Sequence, residues 1–382
     1  MKDNVRFMNE LVRIVNGALR LDIEKVRNYT SFLADKLDDA DETTAAKRLR
    51  KLLDESDHQL RPVDTAIAVS LPVDSESRFP LVEKVALKDL NEPDVALAEG
   101  QWDTVSEFLS IAKSYAQIEA EGLATNLSLL LCGPPGTGKS RLARHIACEP
   151  GYDLYLTRLD GLISSYVGST SKNIRSLFEF ASKNPCVLFL DEFDAIAKLR
   201  GDGQEMGELK RVVNSFIQNL DTLGSQSIII AATNHQELLD AAVWRRFGYR
   251  IELDYPTPEM RAQLWQHYAE KLEFSDSELK MLVDLSDGFS GSDICEAGTR
   301  LHRRQLLGNA STTLSDTLRI MRNLSIGEGE QRRFLGLIRN KDDHDIAFYL
   351  RERDPKLYSH SAIAQLLGVS KATAGRWSKG ES

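Results

Sequence analysis

Apolar and polar positions follow a helical period through the first part of the chain. The segments "FMNELVRIVNGAL" and "TTAAKRLRKLLDE" place apolar side chains three or four positions apart, and the second also carries a basic face. The looser stretch "DSESRFPLVEKVALKDLNEPD" follows, where Pro80 and Pro93 interrupt any helix. This pattern predicts an N-terminal helical domain and linker over residues 1–84.

From about Gln101 the pattern changes to short apolar runs separated by helical segments. Five runs have the length of buried strands: "LSLLLC", "DLYLTRL", "CVLFLD", "SIIIAAT" and "YRIELDY". The segment "GELKRVVNSFIQNLD" between two of them carries its apolar residues on one stripe, which is typical of a helix covering a sheet. Strands that alternate with helices predict an α/β fold, with a parallel five-stranded sheet covered on both faces. All-α segments are expected on both sides of it.

Length and composition narrow the class of protein. A chain of 382 residues predicts two to three structural units. The net charge of −9 argues against a protein that coats nucleic acid through general electrostatics, although it allows a local basic surface. The four cysteines form no CxxC pair, which favours free thiols in a reducing compartment.

The N-terminal segment carries charges throughout and lacks the apolar core of a signal peptide. No stretch of the sequence is long and apolar enough to span a bilayer. We therefore expect a cytoplasmic protein without membrane contact.

The first predicted strand runs directly into "GPPGTGKS", and a helix follows. Glycines let the backbone wrap around phosphates with its N–H groups pointing inward, and the helix N-terminus adds partial positive charge. Lys139 would reach the β- and γ-phosphates of ATP, and the Ser140 hydroxyl would bind Mg²⁺. The predicted nucleotide-binding residues here are Gly133, Pro134, Pro135, Gly136, Thr137, Gly138, Lys139, Ser140 and Arg141.

Acidic and amide residues follow two of the other predicted strands. Asp191 and Glu192 end the run "CVLFLDE", and Asn234 follows "IIIAAT". Open α/β sheets bind ligands at the carboxyl ends of their strands, so these side chains are expected beside the phosphate loop. Asp191 would bind the nucleotide's Mg²⁺ together with Ser140. Glu192 would polarise the attacking water, and Asn234 would orient it against the γ-phosphate.

Together these motifs resemble the AAA family proper of the AAA+ ATPases, over about residues 85–324. The resemblance is carried by "GPPGTGKS", "LFLDEFDAI", "IIIAATN", "LLDAAVWRRF" and "GFSGSDI", and it is closest to the meiotic, microtubule-severing and membrane-remodelling branch. It implies a P-loop AAA+ core with a large nucleotide-binding subdomain over 85–256 and a helical lid over 257–325. It also implies that Gly291 and Ser292 replace the usual lid arginine and lie near the base.

Two adjacent arginines, Arg245 and Arg246, precede the last strand, and no pair of carboxylates lies within a helical turn of them. The resemblance implies that they project across a subunit interface onto a neighbour's ATP. Such head-to-tail contacts close into a ring, and the family implies a hexamer. The alternative is that one of the two pairs with an acid of its own chain, such as Glu252.

The segment "ISSYVGSTSKNIRSLF" follows the second strand. By resemblance, Tyr166, Val167 and Gly168 match the pore loop with which threading members of the family grip a polypeptide. Ser169 departs from the family, which usually has an acid at that position. The alternative is that Tyr166 covers an edge of the core.

The last segment, residues 326–382, changes character. "SHSAIAQLLGVSKATAGRWSK" fits a helix-turn-helix, with Gly368 at the turn and Ser370 capping the second helix. The second helix would expose basic and polar groups that suit DNA, so residues 361–379 are a candidate DNA contact. The alternative is a helical hairpin that binds protein. The groups concerned are Lys371, Thr373, Arg376 and Lys379.

The leading hypothesis is a ring-forming AAA ATPase that unfolds, threads or disassembles protein clients. Its N-terminal helices would recruit clients or adaptors. The competing hypothesis is a DNA-associated ATPase of a phage, transposon or defence system that uses the C-terminal motif. The chain contains no recognisable protease motif, so any proteolysis would come from a separate partner protein.

Overall fold

The computed structural model describes residues 23–39, 43–56, 71–74, 77–90, 95–123, 126–158, 167–195, 206–221, 227–272, 274–307, 313–324 and 341–380. The chain divides into two compact units, residues 1–70 and 71–382. In the first unit, helices α1 (Ile23–Asp39) and α2 (Thr43–Ser56) pack around Leu33, Leu37 and Ala46. The predicted helix at "FMNELVRIVNGAL" lies outside the described residues.

The second unit is built on a six-stranded sheet. Its strands are β1 (Glu83–Val85), β2 (Ser128–Cys132), β3 (Leu154–Arg158), β4 (Cys186–Asp191), β5 (Ser227–Thr233) and β6 (Tyr249–Glu252). Their order in the sheet is β1-β3-β4-β5-β2-β6. The five predicted strands are all present and parallel, so the predicted α/β fold is confirmed. The three-residue β1 adds an antiparallel edge beside β3 that the sequence pattern did not predict.

Helices cover both faces of the sheet. They are α3 (Glu99–Lys113), α4 (Tyr115–Ala120), α5 (Lys139–Cys148), α6 (Val167–Lys183), α7 (Met206–Asp221) and the single turn α8 (Ala241–Trp244). Alternate residues of β2 belong to different apolar layers. Leu130 packs with Phe178 and Phe216 of α6 and α7, whereas Leu129 packs with Phe108 and Ile146 of α3 and α5. This burial on both faces explains why the strands read as continuous apolar runs.

The described residues after β6 are mostly helical. Four helices lie in the segment predicted as the lid, and we call them the lid helices: α9 (Pro258–Tyr268), α10 (Asp276–Leu285), α11 (Gly291–Leu306) and α12 (Leu314–Leu324). We call the following three the C-terminal helices: α13 (Asp343–Arg353), α14 (His360–Leu367) and α15 (Lys371–Trp377). Single 3₁₀ turns lie at Leu87–Asp89, Gln236–Leu238 and Glu270–Leu272. No helix in the described part of the chain combines the length and apolarity needed to cross a membrane.

The C-terminal helices share one apolar core with the lid. Trp265 and Leu282 of the lid and Ile346 and Ile363 of the C-terminal helices are all completely buried in the same cluster. Residues 341–380 therefore pack against the lid and bury apolar surface there.

Polar contacts reinforce this packing around one aspartate of α10. Arg353 of α13 donates from Nε and Nη2 to the Asp284 carboxylate at 3.0–3.2 Å. The hydroxyl of the fully buried Tyr358 donates to the same carboxylate at 2.6 Å. Arg353 also lies 3.7 Å from Asp287, which is paired with the buried Arg261 of α9 at 3.2 Å. This charged network links the C-terminal helices to both α9 and α10.

Candidate functional site

The phosphate loop leaves β2 and enters α5 with three glycines at positive φ. Gly133, Gly136 and Gly138 have φ of 136°, 78° and 105°, a region that favours glycine. Space is also limiting, because a Cβ on Gly133 would lie 1.9 Å from the carbonyl oxygen of Leu253. A Cβ on Gly136 would lie 2.6 Å from Ser290 Oγ, at the start of the lid helix α11. The loop is therefore held between the end of β6 and the lid.

Lys139 stands at the start of α5 with only 8% of its surface exposed. Its ammonium donates to the carbonyl oxygens of Gly133 at 2.7 Å and Pro134 at 2.8 Å. Burial lowers the pKa of Lys139 to about 8, and the nearby carboxylate of Asp191 only partly opposes this effect. Because its charge is weakly compensated, this side chain suits an anionic ligand such as a phosphate.

The acidic pair lies at the carboxyl end of β4, as predicted from sequence. Asp191 ends the strand, and its Oδ1 accepts a hydrogen bond from the Glu192 amide at 2.9 Å. Glu192 has a φ of +54°, which is uncommon for a residue with a side chain. The Phe193 amide, bonded to the Ala232 carbonyl at 2.8 Å, fixes the chain immediately after it. The neighbouring strand thus imposes the turn that aims Glu192 into the cavity.

Asn234 is exposed at the carboxyl end of β5, directly beside the phosphate loop. Strand register brings them together, because Cys132 before Gly133 pairs with Thr233 before Asn234. The Thr233 hydroxyl donates to the buried Asp194 at 3.2 Å and accepts from the His235 amide at 3.0 Å, which fixes both flanks of Asn234.

These residues line one cavity of about 300 Å³ between the sheet edge and the lid. Among the residues predicted from sequence it contains Pro135, Gly136, Thr137, Gly138, Lys139, Ser140, Arg141, Asp191, Glu192, Asn234, Gly291 and Ser292. The Ser292 amide donates to the Gly136 carbonyl at 3.0 Å, so the start of α11 rests directly on the phosphate loop.

Sequence reasoning missed the remaining wall of this cavity. It is formed by Val95, Ala96, Asp254, Pro256, Met260, Leu264 and Tyr268. Three of these residues recur every four positions along α9, a stripe that could have been noticed but that equally indicates an ordinary core face. Val95 and Ala96 carry no sequence signal, since only the fold brings them to the cavity. These mostly apolar groups suit a flat aromatic ring such as a nucleotide base.

The paired arginines lie outside their own chain's cavity, and both are exposed. Arg246 pairs with Asp221 at the end of α7 at 3.1 Å, not with the acid considered from sequence, Glu252. Within the described residues Arg245 has no ion-pair partner. Arg250 fixes the turn that carries both, by donating to the Trp244 carbonyl at 3.1 Å and to the Phe247 carbonyl at 3.2 Å.

The other predicted sites are described only in part. Tyr166 lies outside the described residues, and Val167 and Gly168 are seen as the first two backbone positions of α6. The C-terminal motif forms α14 and α15, joined at Gly368 with a φ of 69°. The Ser370 hydroxyl accepts from the Thr373 amide at 3.1 Å and caps α15, as expected. Lys371, Arg376 and Lys379 are exposed.

This arrangement defines a class of protein. A parallel sheet that carries a strand–phosphate loop–helix unit, with acids ending a neighbouring strand, is the fold and site of P-loop nucleotide-binding proteins. Residues 129–255 also match the sequence profile of the ATPase family associated with various cellular activities (AAA).

The similarity to known proteins extends beyond that segment. The chain is 38% identical over 240 residues to an uncharacterized AAA family ATPase, y4kL, of Sinorhizobium fredii, covering 62% of this chain and 71% of that protein. It is 38% identical over 182 residues to a putative 26S proteasome regulatory subunit homolog of Methanocaldococcus jannaschii, covering 46% and 49%. It is 34% identical over 209 residues to the ATP-dependent zinc metalloprotease FtsH of Corynebacterium glutamicum, covering 53% and 24%.

The chain belongs to the AAA family and is an ATP-binding ATPase, as the sequence predicted. It spans about half of the proteasome-subunit relative and about a quarter of the FtsH protein. Its fold also matches the crystal structure of the FIGL-1 AAA domain, with a TM-score of 0.53 and 24% identity over 65% of this chain and 88% of that one.

Proposed function

We propose that this protein is a ring-forming ATPase that uses ATP hydrolysis to unfold, thread or disassemble protein clients. One observation carries the proposal. The chain supplies its own nucleotide cavity with a lysine, two acids and an asparagine, whereas Arg245 and Arg246 lie outside that cavity. An arginine that cannot serve its own cavity is available to a neighbour's, and heterologous contacts of this kind close into rings. The family resemblance implies six subunits.

The residues of the cavity divide the work of hydrolysis between them. The amides of the phosphate loop and the Lys139 ammonium would bind the β- and γ-phosphates. The Glu192 carboxylate would accept the proton of the attacking water, and the Asn234 amide would orient that water without competing for its proton. Ser140 and Asp191 have oxygen donors that suit Mg²⁺, which supplies neutralising charge at the phosphate oxygens when bound.

Arg245 and Arg246 would complete a neighbour's cavity by placing positive charge beside the γ-phosphate. Arginine fingers in related nucleotide hydrolases contribute about 10³-fold or more in rate. This factor corresponds to about 4 kcal/mol of activation free energy. The exposed Arg246–Asp221 pair is expected to exchange partners readily, since exposed ion pairs contribute little stability.

The client would be gripped by Tyr166, Val167 and Gly168 and recruited by the N-terminal helices. A protease acting after unfolding would be a separate partner protein. The relatives named as ATP-dependent proteases favour protein clients over other substrates. Tyr166→Ala should abolish client processing while ATP hydrolysis continues. Processing at the normal rate would contradict threading through this segment.

The decisive experiment mixes two inactive variants. Glu192→Gln should bind ATP but hydrolyse it about 100-fold more slowly or worse, because it lacks the general base. Arg246→Ala should also be inactive, because it cannot complete its neighbour's cavity. Glu237→Gln is the matched control, since Glu237 is an exposed acid near the same sheet edge that does not line the cavity.

In a mixture of the two inactive variants, an intact cavity of the arginine variant can receive Arg246 from a Glu192→Gln neighbour. The mixture should therefore recover part of the lost ATPase activity, measured as phosphate release. If the mixture stays as inactive as its components, or if each diluted monomer of the unaltered protein hydrolyses ATP at full rate, the shared site is wrong.

The competing hypothesis of a DNA-associated ATPase rests on the exposed Lys371, Arg376 and Lys379. Three acids at the start of α13, which packs against α15, would repel a phosphate backbone on that side. This charge distribution favours the protein-remodelling proposal. Replacing the three basic residues with glutamate tests the alternative by DNA retention at low salt. The three acids are Asp342, Asp343 and Asp345.

A further inference from the structure

Arg141 lies at the boundary between the phosphate-loop helix α5 and the lid. It stands two positions after Lys139, and its side chain lines the nucleotide cavity. Its Nη2 donates to Cys295 Sγ at 3.7 Å, and its guanidinium carbon lies 5.5 Å from the centroid of the Tyr268 ring. Tyr268 belongs to α9 and Cys295 to α11. One guanidinium therefore contacts two lid helices at once.

The lid side of this contact is held firmly in place. Gly298 of α11 lies so close to Tyr268 that a Cβ there would be 2.7 Å from the tyrosine Cβ. Burial raises the pKa of Tyr268 to about 12, so its ring is a neutral partner for a cation. Gly298 therefore fixes how closely α9 and α11 pack behind the ring that Arg141 contacts. Movement of these two helices relative to α5 would change both contacts of Arg141.

The start of α11 contributes small uncharged residues to the cavity. The residues that rest on the phosphate loop there are Gly291 and Ser292, and the latter contributes its backbone amide to Gly136 at 3.0 Å. Lys139 is directed into the phosphate loop by its bonds to Gly133 and Pro134. Arg141 is the cavity-lining cation that reaches from α5 to the lid.

We propose that Arg141 is a positioning residue that holds the lid closed over the bound nucleotide, acting through Tyr268 and Cys295. The closed lid keeps Met260, Leu264 and Tyr268 against the nucleotide, so nucleotide affinity depends on a cation outside the phosphate-binding motif. This inference rests on the proposed nucleotide site.

The test compares ADP binding in three variants that keep Glu192, because ADP has no γ-phosphate for the site to hydrolyse. Arg141→Met keeps the length of the side chain and removes its charge, and it should weaken binding of a fluorescent ADP analogue about tenfold. Arg141→Lys should restore most of the affinity, because an ammonium can also lie over the ring. Arg144→Met is the matched control on the same helix, since Arg144 does not line the cavity.

Cys295 provides a second readout of the lid position. Cys132 and Cys186 are buried, so in a Cys148→Ser background Cys295 is the thiol expected to react with iodoacetamide. ADP should slow this reaction in the protein with Arg141 and fail to slow it in Arg141→Met. A purely structural loss would change the reaction rate equally with and without ADP.

A double-mutant cycle with Tyr268→Leu decides whether the two side chains act together. If Arg141 and Tyr268 act together, the double variant should bind ADP with about the same affinity as the single variant that binds ADP less tightly. Additive losses, or unchanged affinity and unchanged protection of Cys295 in Arg141→Met, would overturn the proposal. Failure of the nucleotide site itself looks different, because the protein with Arg141 intact would then bind no ADP at all.

Discussion

The buried ammonium of Lys139 is bonded to two backbone carbonyls, and no carboxylate of the described residues forms an ion pair with it. A buried charge without an ion-pair partner lowers the free energy of unfolding when no phosphate is bound. Functional sites often combine ligand binding with such a loss of stability. Lys139→Met should therefore raise the free energy of unfolding of the nucleotide-free protein by about 3 kcal/mol at pH 7. The same change should abolish the stabilisation that ATP gives.

The advantage of Lys139→Met should depend on pH in a defined direction. The folded-state pKa is lowered to about 8 from 10.5, so the cost is fully present below pH 8. It fades between pH 8 and pH 10.5, where the folded lysine is neutral and the unfolded one still carries its proton. Unfolding curves at pH 7 and pH 10 measure this difference. A variant less stable than the original at pH 7 would contradict the argument.

Gly133 is required by space as much as by backbone conformation. Gly133→Ala would bring a Cβ to 1.9 Å from the Leu253 carbonyl oxygen, so either the loop or the end of β6 must move. We expect a loss of about 3 kcal/mol or more in the free energy of unfolding, together with loss of nucleotide binding. Gly122→Ala is the control, because Gly122 has a φ of 72° and nothing within 4 Å. It should cost only the conformational strain, about 1 kcal/mol.

At the scale of single residues, the sequence predicted the positions of those cavity residues that lie at the end of a strand or follow directly after it. The phosphate loop, Asp191 and Asn234 lie at strand ends that an apolar run makes visible. All of them line the cavity except Gly133 and Pro134, which begin the loop. Val95 and Met260 line the same cavity but come from segments far apart in the chain. The partner of Arg246 was missed for the same reason, since Asp221 is brought to it by α7 and not by local sequence.

Among the elements, α9 and α11 pack at Gly298 with no room for a side chain. A Cβ there would lie 2.7 Å from Tyr268 Cβ and 2.8 Å from the Tyr268 carbonyl oxygen. Gly298→Ala should push the helices apart and lower the free energy of unfolding by about 1–3 kcal/mol. Nucleotide binding should weaken as well, because α9 forms a wall of the cavity.

Gly100→Ala tests whether the effect comes from crowding or from the substitution itself. Gly100 is also helical, in α3, and a Cβ added there would meet nothing within 4 Å. This change should be neutral or stabilising by up to about 1 kcal/mol. Chemical denaturation and ADP titration of both variants provide the measurement. Equal losses in the two would show that helix crowding at Gly298 is not the cause.

The elements themselves were mostly predictable, and the exceptions have a physical reason. The five parallel strands appear as apolar runs because they are buried on both faces. The edge strand β1 has three residues of which none is fully buried, so its sequence carries no such run. Its position is set by antiparallel pairing with β3, which is distant in sequence. An ion pair between Lys84 and Asp153 at 2.7 Å supports this pairing.

For the molecule as a whole, the contact between lid and C-terminal helices depends on Asp284. Asp284→Ala would leave the Arg353 guanidinium and the buried Tyr358 hydroxyl without their shared acceptor. The expected loss in the free energy of unfolding is about 2 kcal/mol or more.

Asp343→Ala is the matched control, because Asp343 also faces a lid arginine, Arg322, but at 3.7 Å and with 52% of its side chain exposed. An exposed pair of this kind should contribute at most about 1 kcal/mol. Thermal unfolding of the two variants separates the cases. Similar losses would show that the Asp284 network does not fasten the C-terminal helices.

The shared core of residues 257–324 and 341–380 has a practical consequence for shortened versions of the protein. Deleting all residues after 340 would remove Ile346, Leu350 and Ile363 from this core. Trp265 and Leu282 of the lid would then become more exposed to solvent. Such a fragment should aggregate or misfold. Loss of client or DNA binding in that fragment would therefore not show that residues 341–382 recognise the ligand. Single charge reversals on α15 leave that apolar contact intact and report on recognition alone.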